Sequence, residues 1–99
     1  MAAVGRSAGG RVFEDNKLKH RFEWTEQGLL AFADYHEGDG VVFLPHVEAD
    51  MALRGKGASG RLMEAIAAHA RGANLKLRPT CPYAVYWFKH HPDAADVLA

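Results

Sequence analysis

The chain has 99 residues, of which 48% are hydrophobic and 24% are charged, and twelve basic residues balance twelve acidic ones. This length allows one domain with one core, and it excludes a complete doubly wound nucleotide-binding sheet with a separate substrate domain. A formal net charge of zero predicts no nucleic-acid partner and no membrane partner, so any anion site must be local.

The first ten residues and the single cysteine further limit the extent of the domain and the expected location of the protein. Residues 1–10, MAAVGRSAGG, lack a long apolar segment, so we expect a flexible lead-in outside the fold and one domain over residues 11–99. No apolar run in the sequence has the length of a membrane span. Cys81 is the only cysteine, which excludes an intrachain disulfide and favours a reducing, cytoplasmic location.

Three strands are predicted in the first half of the chain. Residues 18–25, LKHRFEWT, alternate apolar or aromatic side chains with polar ones, which is the period of a half-buried strand. LLAFADYH (29–36) and VVFLPHV (41–47) follow, separated by the turn EGDG. Short turns indicate an antiparallel meander. Because residues 41–44 are all apolar, we expect the third strand to be covered on both faces, and we place Phe22, Trp24 and Phe32 in the core.

A helical period begins after Arg54. Ala58, Leu62, Ile66 and Ala70 recur at four-residue steps, and RGAN ends this helix. LKLRP (75–79) predicts a short strand parallel to the third one, since a helix connects the two. CPYAVYWFKHH (81–91) predicts a second, shorter helix with Pro82 in its first turn. The predicted class is therefore α+β.

The connection RGKGASGRLM, residues 54–63, has two interpretations. Gly55, Gly57 and Gly60 spell the dinucleotide fingerprint G-x-G-x-x-G, but no acidic residue follows at the ribose-binding distance and too few residues remain for the rest of such a sheet. Read from Arg54, the letters R-x-x-G-x-S are close to the pyrophosphate loop of acyl-CoA-dependent acyltransferases. Glycine backbone N–H groups and the positive end of a helix dipole favour one pyrophosphate in either case. An ordinary glycine-rich turn with solvated basic residues is the remaining interpretation.

The chain from about Phe13 to Leu98 resembles the small, single-domain GNAT-like N-acetyltransferases. Six segments carry the resemblance by their order and spacing: RFEW at Arg21, AFADY at Ala31, HVE at His46, ALRGKGASGRLM at Ala52, LKLRPTCPY at Leu75 and HPDAADVL at His91. The resemblance implies a minimal GNAT-like fold, with acetyl-CoA as cosubstrate and an amine as acceptor.

The resemblance also implies which residues bind the cosubstrate. The CoA pyrophosphate is expected on Arg54, Gly55, Lys56, Gly57, Ala58 and Ser59. The pantetheine and acetyl groups are expected beside the strand from His46 to Ala49, which adds Val47 and Ala49 to the expected cosubstrate-binding set. Ser59 replaces the usual Ala or Gly, and Val47, Ala49, Asp50 and Met51 depart from the family pattern.

Four residues are candidates for the chemistry. His46 is the leading general base, because an imidazole titrates near neutral pH, and Glu48 is the alternative on the same strand face. Cys81 precedes a helix N-terminus, so it is a nucleophile, a proton donor to CoA or an inert buried thiol. Tyr83 and the nearby Tyr86 are able to present a phenol to the sulfur, or to pack in the core.

No metal site is predicted, because adjacent histidines such as His90 and His91 diverge on a helix and no spaced Cys/His pair exists. The sequence leaves the acceptor open between a small amine, a protein lysine and another nucleophile. A non-catalytic CoA-binding module and a purely structural domain also remain open, and the oligomeric state cannot be read from the sequence.

Overall fold

One mixed sheet forms the frame of the molecule. The computed structural model describes residues 5–7 and 10–99. In these residues six strands lie in sequence order: β1 (Gly5–Ser7), β2 (Arg11–Asn16), β3 (Arg21–Glu26), β4 (Leu29–Gly38), β5 (Val41–Ala49) and β6 (Lys76–Pro79). The first five are antiparallel neighbours, and β6 lies parallel to β5. The predicted α+β class, with a meander and a final parallel strand, is confirmed.

Two helices cover only one face of this sheet. They are α1 (Ala58–Ala73) and α2 (Pro82–Lys89), and short 3₁₀ helices span Met51–Leu53 and Pro92–Val97. Because side chains alternate along a strand, Ala31 and Ala33 of β4 face α1 and are fully buried, whereas Phe32 between them faces away. In the part of the chain that the structure describes, no helix covers the second face, which we call the open face.

The bounds of α1 follow from its sequence. Gly57 is the N-cap residue, and Leu62, Met63, Ile66 and Ala70 form a fully buried stripe at helical spacing. Asn74 ends the helix in the left-handed conformation at φ 57°, and the N–H of Leu75 returns to the carbonyl of Ala70 at 2.8 Å. This hydrogen-bond pattern satisfies carbonyls that a helix end otherwise leaves unpaired. The helix predicted after Arg54 is confirmed.

The start of the sheet differs from the prediction. Gly5–Ser7 pair with Arg11–Phe13, so this part of the expected lead-in joins the sheet, while residues 1–4 and 8–9 lie outside the described residues. Strand β2 was not predicted, because its helix-facing positions alternate charge with an aromatic ring rather than carrying an apolar row. Leu18, expected in the first strand, lies in a turn with 97% of its surface exposed.

Two expectations about burial were wrong for the same reason. Val42 and Leu44 are buried, but Val41 and Phe43 are only half-buried because they lie on the open face. The ring of Phe43 stacks on His36 with 4.9 Å between centroids. Phe32 is not in the core either, and the guanidinium of Arg21 lies 4.5 Å from its ring centre.

Candidate active site

A cavity of about 280 Å³ opens where the glycine-rich loop enters α1. It is lined by Leu53, Arg54, Gly55, Gly57, Ala58, Ser59, Gly60 and Tyr83. Of the six loop residues predicted to bind pyrophosphate, five line the cavity, and Lys56 is the exception. The structure therefore brings the predicted loop together with Tyr83 of α2 on the helical side of the sheet.

The start of α1 is built to leave backbone donors free. Gly55 and Gly57 have φ angles of 75° and 80°, which a residue with a Cβ atom adopts only at a cost. The first hydrogen bond of the helix runs from the N–H of Arg61 to the carbonyl of Gly57 at 3.1 Å. In the described part of the chain, no side chain caps this end and no acidic residue lies in its first turn. The N–H groups of residues 58–60 and the helix dipole thus face the cavity entrance unneutralised.

An ion pair between a buried carboxylate and a partly exposed guanidinium, absent from the sequence prediction, holds the loop. Glu26, at the end of β3, is 8% exposed and receives both Arg61 Nε and Arg61 Nη2, the latter at 2.9 Å. Trp24 Nε1 also donates to Glu26 at 2.7 Å. The Arg61 hydrogen bond, opposed by desolvation, is the main reason why the pKa of Glu26 falls to about 2. Arg61 Nη2 donates further to the carbonyl of Lys56 at 2.8 Å, so one guanidinium joins the sheet to the loop.

Strands β5 and β6 separate beside this loop. They pair from Val41 with Lys76 to Leu44 with Pro79, and the N–H groups of Thr80 and Cys81 then both donate to the carbonyl of Leu44, at 3.1 and 3.0 Å. Opposite β4, the register shifts so that β5 gains one residue at Leu44–Pro45, where Pro45 offers no N–H. This bulge and the separation of the two strands open a gap in the sheet.

Beyond the gap, β5 turns part of its backbone to the side away from β4. The N–H of Asp50 donates to Leu30 of β4 at 2.8 Å, so by strand alternation the N–H groups of Val47 and Ala49 point to the side away from β4. Arg54 Nε donates to the carbonyl of Ala49 at 3.3 Å from that side. The two predicted pantetheine-binding residues therefore line the gap with their backbone.

His46 and Glu48 form a pair on the open face. They lie opposite Asp34 and Phe32 of β4, and His46 Nε2 is 3.0 Å from Glu48 Oε1. Each side chain is about half exposed. The structure thus joins the two candidate bases in one hydrogen-bonded unit, but it places them across the sheet from the loop cavity.

Cys81 and Tyr83 stand at the start of α2, next to the gap. Cys81 is the N-cap residue and is 8% exposed, and its backbone is bonded to Leu44. The pKa of Tyr83 is raised, first by burial and then by Tyr86 and Cys81. Its hydroxyl lies 3.9 Å from the position a Cβ atom would take at Gly60. Tyr83 therefore remains a neutral phenol, able to donate a proton, at the rim of the cavity.

The metal-ligating side chains and the helix lengths also bear on the class of site. Among residues 5–7 and 10–99, no group of three or more His, Cys, Asp or Glu side chains is arranged to hold a metal ion. His91 stacks on Trp87 with 3.9 Å between centroids, and His90 packs on Tyr86. Neither α1 nor α2, nor any other helix described, has the length and apolar character that crossing a membrane requires.

Comparison with known proteins agrees with this architecture. Residues 21–97 match the model of the GCN5-related N-acetyl-transferase family. The chain therefore belongs to this family of acetyl-transferring enzymes. The matched range begins at β3 and ends in the last 3₁₀ helix, so it contains the loop, the gap and both helices.

A solved structure shows the same fold. The solution NMR structure of a GCN5-like protein from Staphylococcus aureus superposes with a TM-score of 0.54 at 18% sequence identity, covering 98% of this chain and 87% of that one. At this identity the likeness concerns the fold alone. No curated protein sequence matches the chain.

Proposed function

We propose that the protein is an acetyl-CoA-dependent N-acetyltransferase that moves the acetyl group to an amine. One observation carries the proposal: an uncapped helix N-terminus with left-handed glycines opens a cavity directly beside a gap in the sheet. A pyrophosphate needs several N–H donors and a close backbone approach, and these are the features that the loop provides.

The residues fit two parts of acetyl-CoA, namely its pyrophosphate and its pantetheine-thioester arm. Arg54 lines the cavity, so it adds formal positive charge at the phosphate position. The N–H groups of Val47 and Ala49, which point away from β4, offer hydrogen bonds to the amide-rich pantetheine arm and to the thioester carbonyl. An oxyanion that forms at this carbonyl is stabilised by such preorganised donors without any particular side chain.

The gap provides a route between the two faces of the sheet. The donor enters on the helical side, where the loop and Tyr83 lie, and the acceptor approaches from the open face, where His46 and Glu48 lie. His46 removes a proton from the incoming ammonium, and Glu48 holds the imidazole in place by its 3.0 Å contact. Tyr83 donates its proton to the departing thiolate of CoA, and its raised pKa keeps the phenol protonated until that thiolate forms.

The role of Cys81 differs between two possible chemical routes of acetyl transfer. In direct transfer, the amine attacks the thioester carbonyl and the C–S bond to CoA breaks, while Cys81 only packs. In a two-step route, the Cys81 thiolate attacks first and expels CoA, and the amine then attacks the resulting acetyl-cysteine. Burial of Cys81 beside Leu44 is compatible with both.

Ligand-dependent stabilisation is the first test. Melting temperatures are compared with acetyl-CoA, CoA and NADPH, because a ligand that binds only the folded state raises the melting temperature. At a hundredfold excess over Kd we expect a rise on the order of 10 °C with both CoA species and none with NADPH. A rise with NADPH alone would restore the dinucleotide interpretation, and no rise with CoA would remove the acetyltransferase proposal.

Turnover is the second test. A panel of small amines and lysine peptides is screened with acetyl-CoA, and CoA release is compared for wild type, His46→Gln and Cys81→Ala. Loss of turnover in His46→Gln with retained CoA binding supports the proposed base. Intact-mass spectrometry of the protein with acetyl-CoA alone then detects or excludes an acetyl group on Cys81. CoA binding without turnover on any amine would favour a non-catalytic module.

A further inference from the structure

Glu26 and Arg61 form an ion pair that holds the glycine-rich loop, although neither residue lines the loop cavity. We propose that Glu26 and Arg61 are positioning residues that aim the Gly57 N–H at the pyrophosphate of CoA. This inference rests on the proposed function, and it concerns residues that do not themselves need to touch the cosubstrate.

The guanidinium of Arg61 is held in a fixed position. Arg61 lies one turn into α1, and two of its nitrogens are held by the carboxylate of Glu26. Glu26 is itself held by Trp24 Nε1 at 2.7 Å and lies near Arg11 at 3.7 Å. A planar guanidinium bound by two parallel hydrogen bonds has little freedom to turn. Its position is therefore set by β3, at the edge of the sheet core.

The guanidinium also orients one peptide plane of the loop. Besides Glu26, Arg61 Nη2 donates to the carbonyl of Lys56 at 2.8 Å. In a planar trans peptide, the carbonyl of one residue and the N–H of the next point in opposite directions. Drawing the Lys56 carbonyl toward Arg61 thus turns the Gly57 N–H away from Arg61. Gly57 lines the loop cavity and Lys56 does not, in keeping with this orientation.

Gly57 and Arg61 also fit closely against each other. A Cβ atom at Gly57 would lie 3.0 Å from Arg61 Nη1, so the guanidinium occupies the space next to the glycine. Glu26 also balances the charge of Arg61. The contribution of the pair to anion binding is therefore geometric, through the loop backbone, rather than a free positive charge.

The test compares a ligand that has the pyrophosphate with one that lacks it. CoA and S-acetyl-pantetheine are titrated into ¹⁵N-labelled wild type, Arg61→Gln, Arg61→Lys and Glu26→Gln, with the Gly57 amide resonance followed directly. We expect at least about tenfold weaker CoA binding in all three variants, from loss of a charge-assisted hydrogen bond, and unchanged binding of S-acetyl-pantetheine. The CoA-induced shift of the Gly57 amide should disappear.

Arg71→Gln is the matched control. Arg71 makes the same forked contact with Asp96, at 2.7 and 2.8 Å, but at the other end of α1. Its loss should lower the melting temperature and leave CoA affinity unchanged. If Glu26→Gln fails to fold, Arg61→Lys keeps the positive charge and removes the fork, so it tests the same point.

Several results would overturn the inference. Unchanged CoA affinity in the folded variants, or equal weakening of both ligands, excludes a positioning role and leaves the proposed function standing. Full affinity in Arg61→Lys with loss in Arg61→Gln would show that charge alone matters. No CoA binding by wild type would remove the proposed function together with this inference.

Discussion

Alanine at Gly57 is expected to lower the free energy of unfolding by about 2 kcal/mol, roughly twice the cost of alanine at Gly55. Both glycines are left-handed, at φ 80° and 75°. Alanine at either position therefore lowers the free energy of unfolding by about 1 kcal/mol, a net value that includes the stabilising effect of a less flexible unfolded chain. Only at Gly57 does the new Cβ meet a neighbour, Arg61 Nη1 at 3.0 Å, and nothing lies within 4 Å at Gly55. Arg61 cannot retreat without weakening its bonds to Glu26 and Lys56, which adds about 1 kcal/mol.

Urea unfolding followed by tryptophan fluorescence measures this difference, provided that the variants share one m-value. A double-mutant cycle isolates its cause. In an Arg61→Ala background, the cost of Gly57→Ala should fall to that of Gly55→Ala, because the obstructing guanidinium is gone. Equal costs of the two alanines in the wild-type background would refute the reasoning, as would an excess at Gly57 that persists without Arg61.

Three further predictions concern acid stability, the leaving group and the core. Because the pKa of Glu26 falls from 4.5 to about 2 on folding, its contribution to the free energy of unfolding is complete above about pH 4.5 and is lost as the pH falls toward 2. Acid titration followed by circular dichroism should show this loss in wild type and not in Glu26→Gln. Tyr83→Phe should lower kcat about tenfold or more and leave CoA affinity unchanged, and equal kcat in the two proteins would exclude the phenol as the acid. Leu77→Ala should lower the free energy of unfolding by about 2–5 kcal/mol in chemical unfolding, since the Leu77 side chain of β6 is fully buried under the helices. A loss below about 1 kcal/mol would mean that neighbouring side chains move in and fill the cavity.

The elements with simple periodicity were predictable from the sequence. The stripe from Ala58 to Ala70 needs only the helical period and an end signal, and both are local. Strand β2 was not predictable in this way. Its part-buried Asp15 faces the helical layer, where it accepts a hydrogen bond from the Tyr35 hydroxyl at 2.6 Å, and Tyr35 lies twenty residues further along the chain. A polar residue in such a position is recognised only when its partner is known.

In the candidate site too, contiguous motifs were predictable and contacts between residues distant in sequence were not. The glycine loop is a contiguous motif, and five of its six predicted residues line one cavity. Glu26 and Arg61 are 35 residues apart in sequence, and nothing local to either predicts their contact. The pairing of His46 with Glu48 was implied by their shared strand face. Their position on the face without helices depends on how many layers the fold builds, which the strand pattern alone did not reveal.

The open face has a consequence for how this domain can change over time. Along β4, Ala31 and Ala33 are sealed under α1, so almost any larger side chain there would disturb the packing. Their immediate neighbours Phe32 and Asp34 are only half-buried, and His36 is exposed. Packing therefore constrains every second residue of this strand and leaves the residues between them freer to vary. Substitutions on the surface beside the proposed base can change which acceptor binds without lowering the stability of the fold.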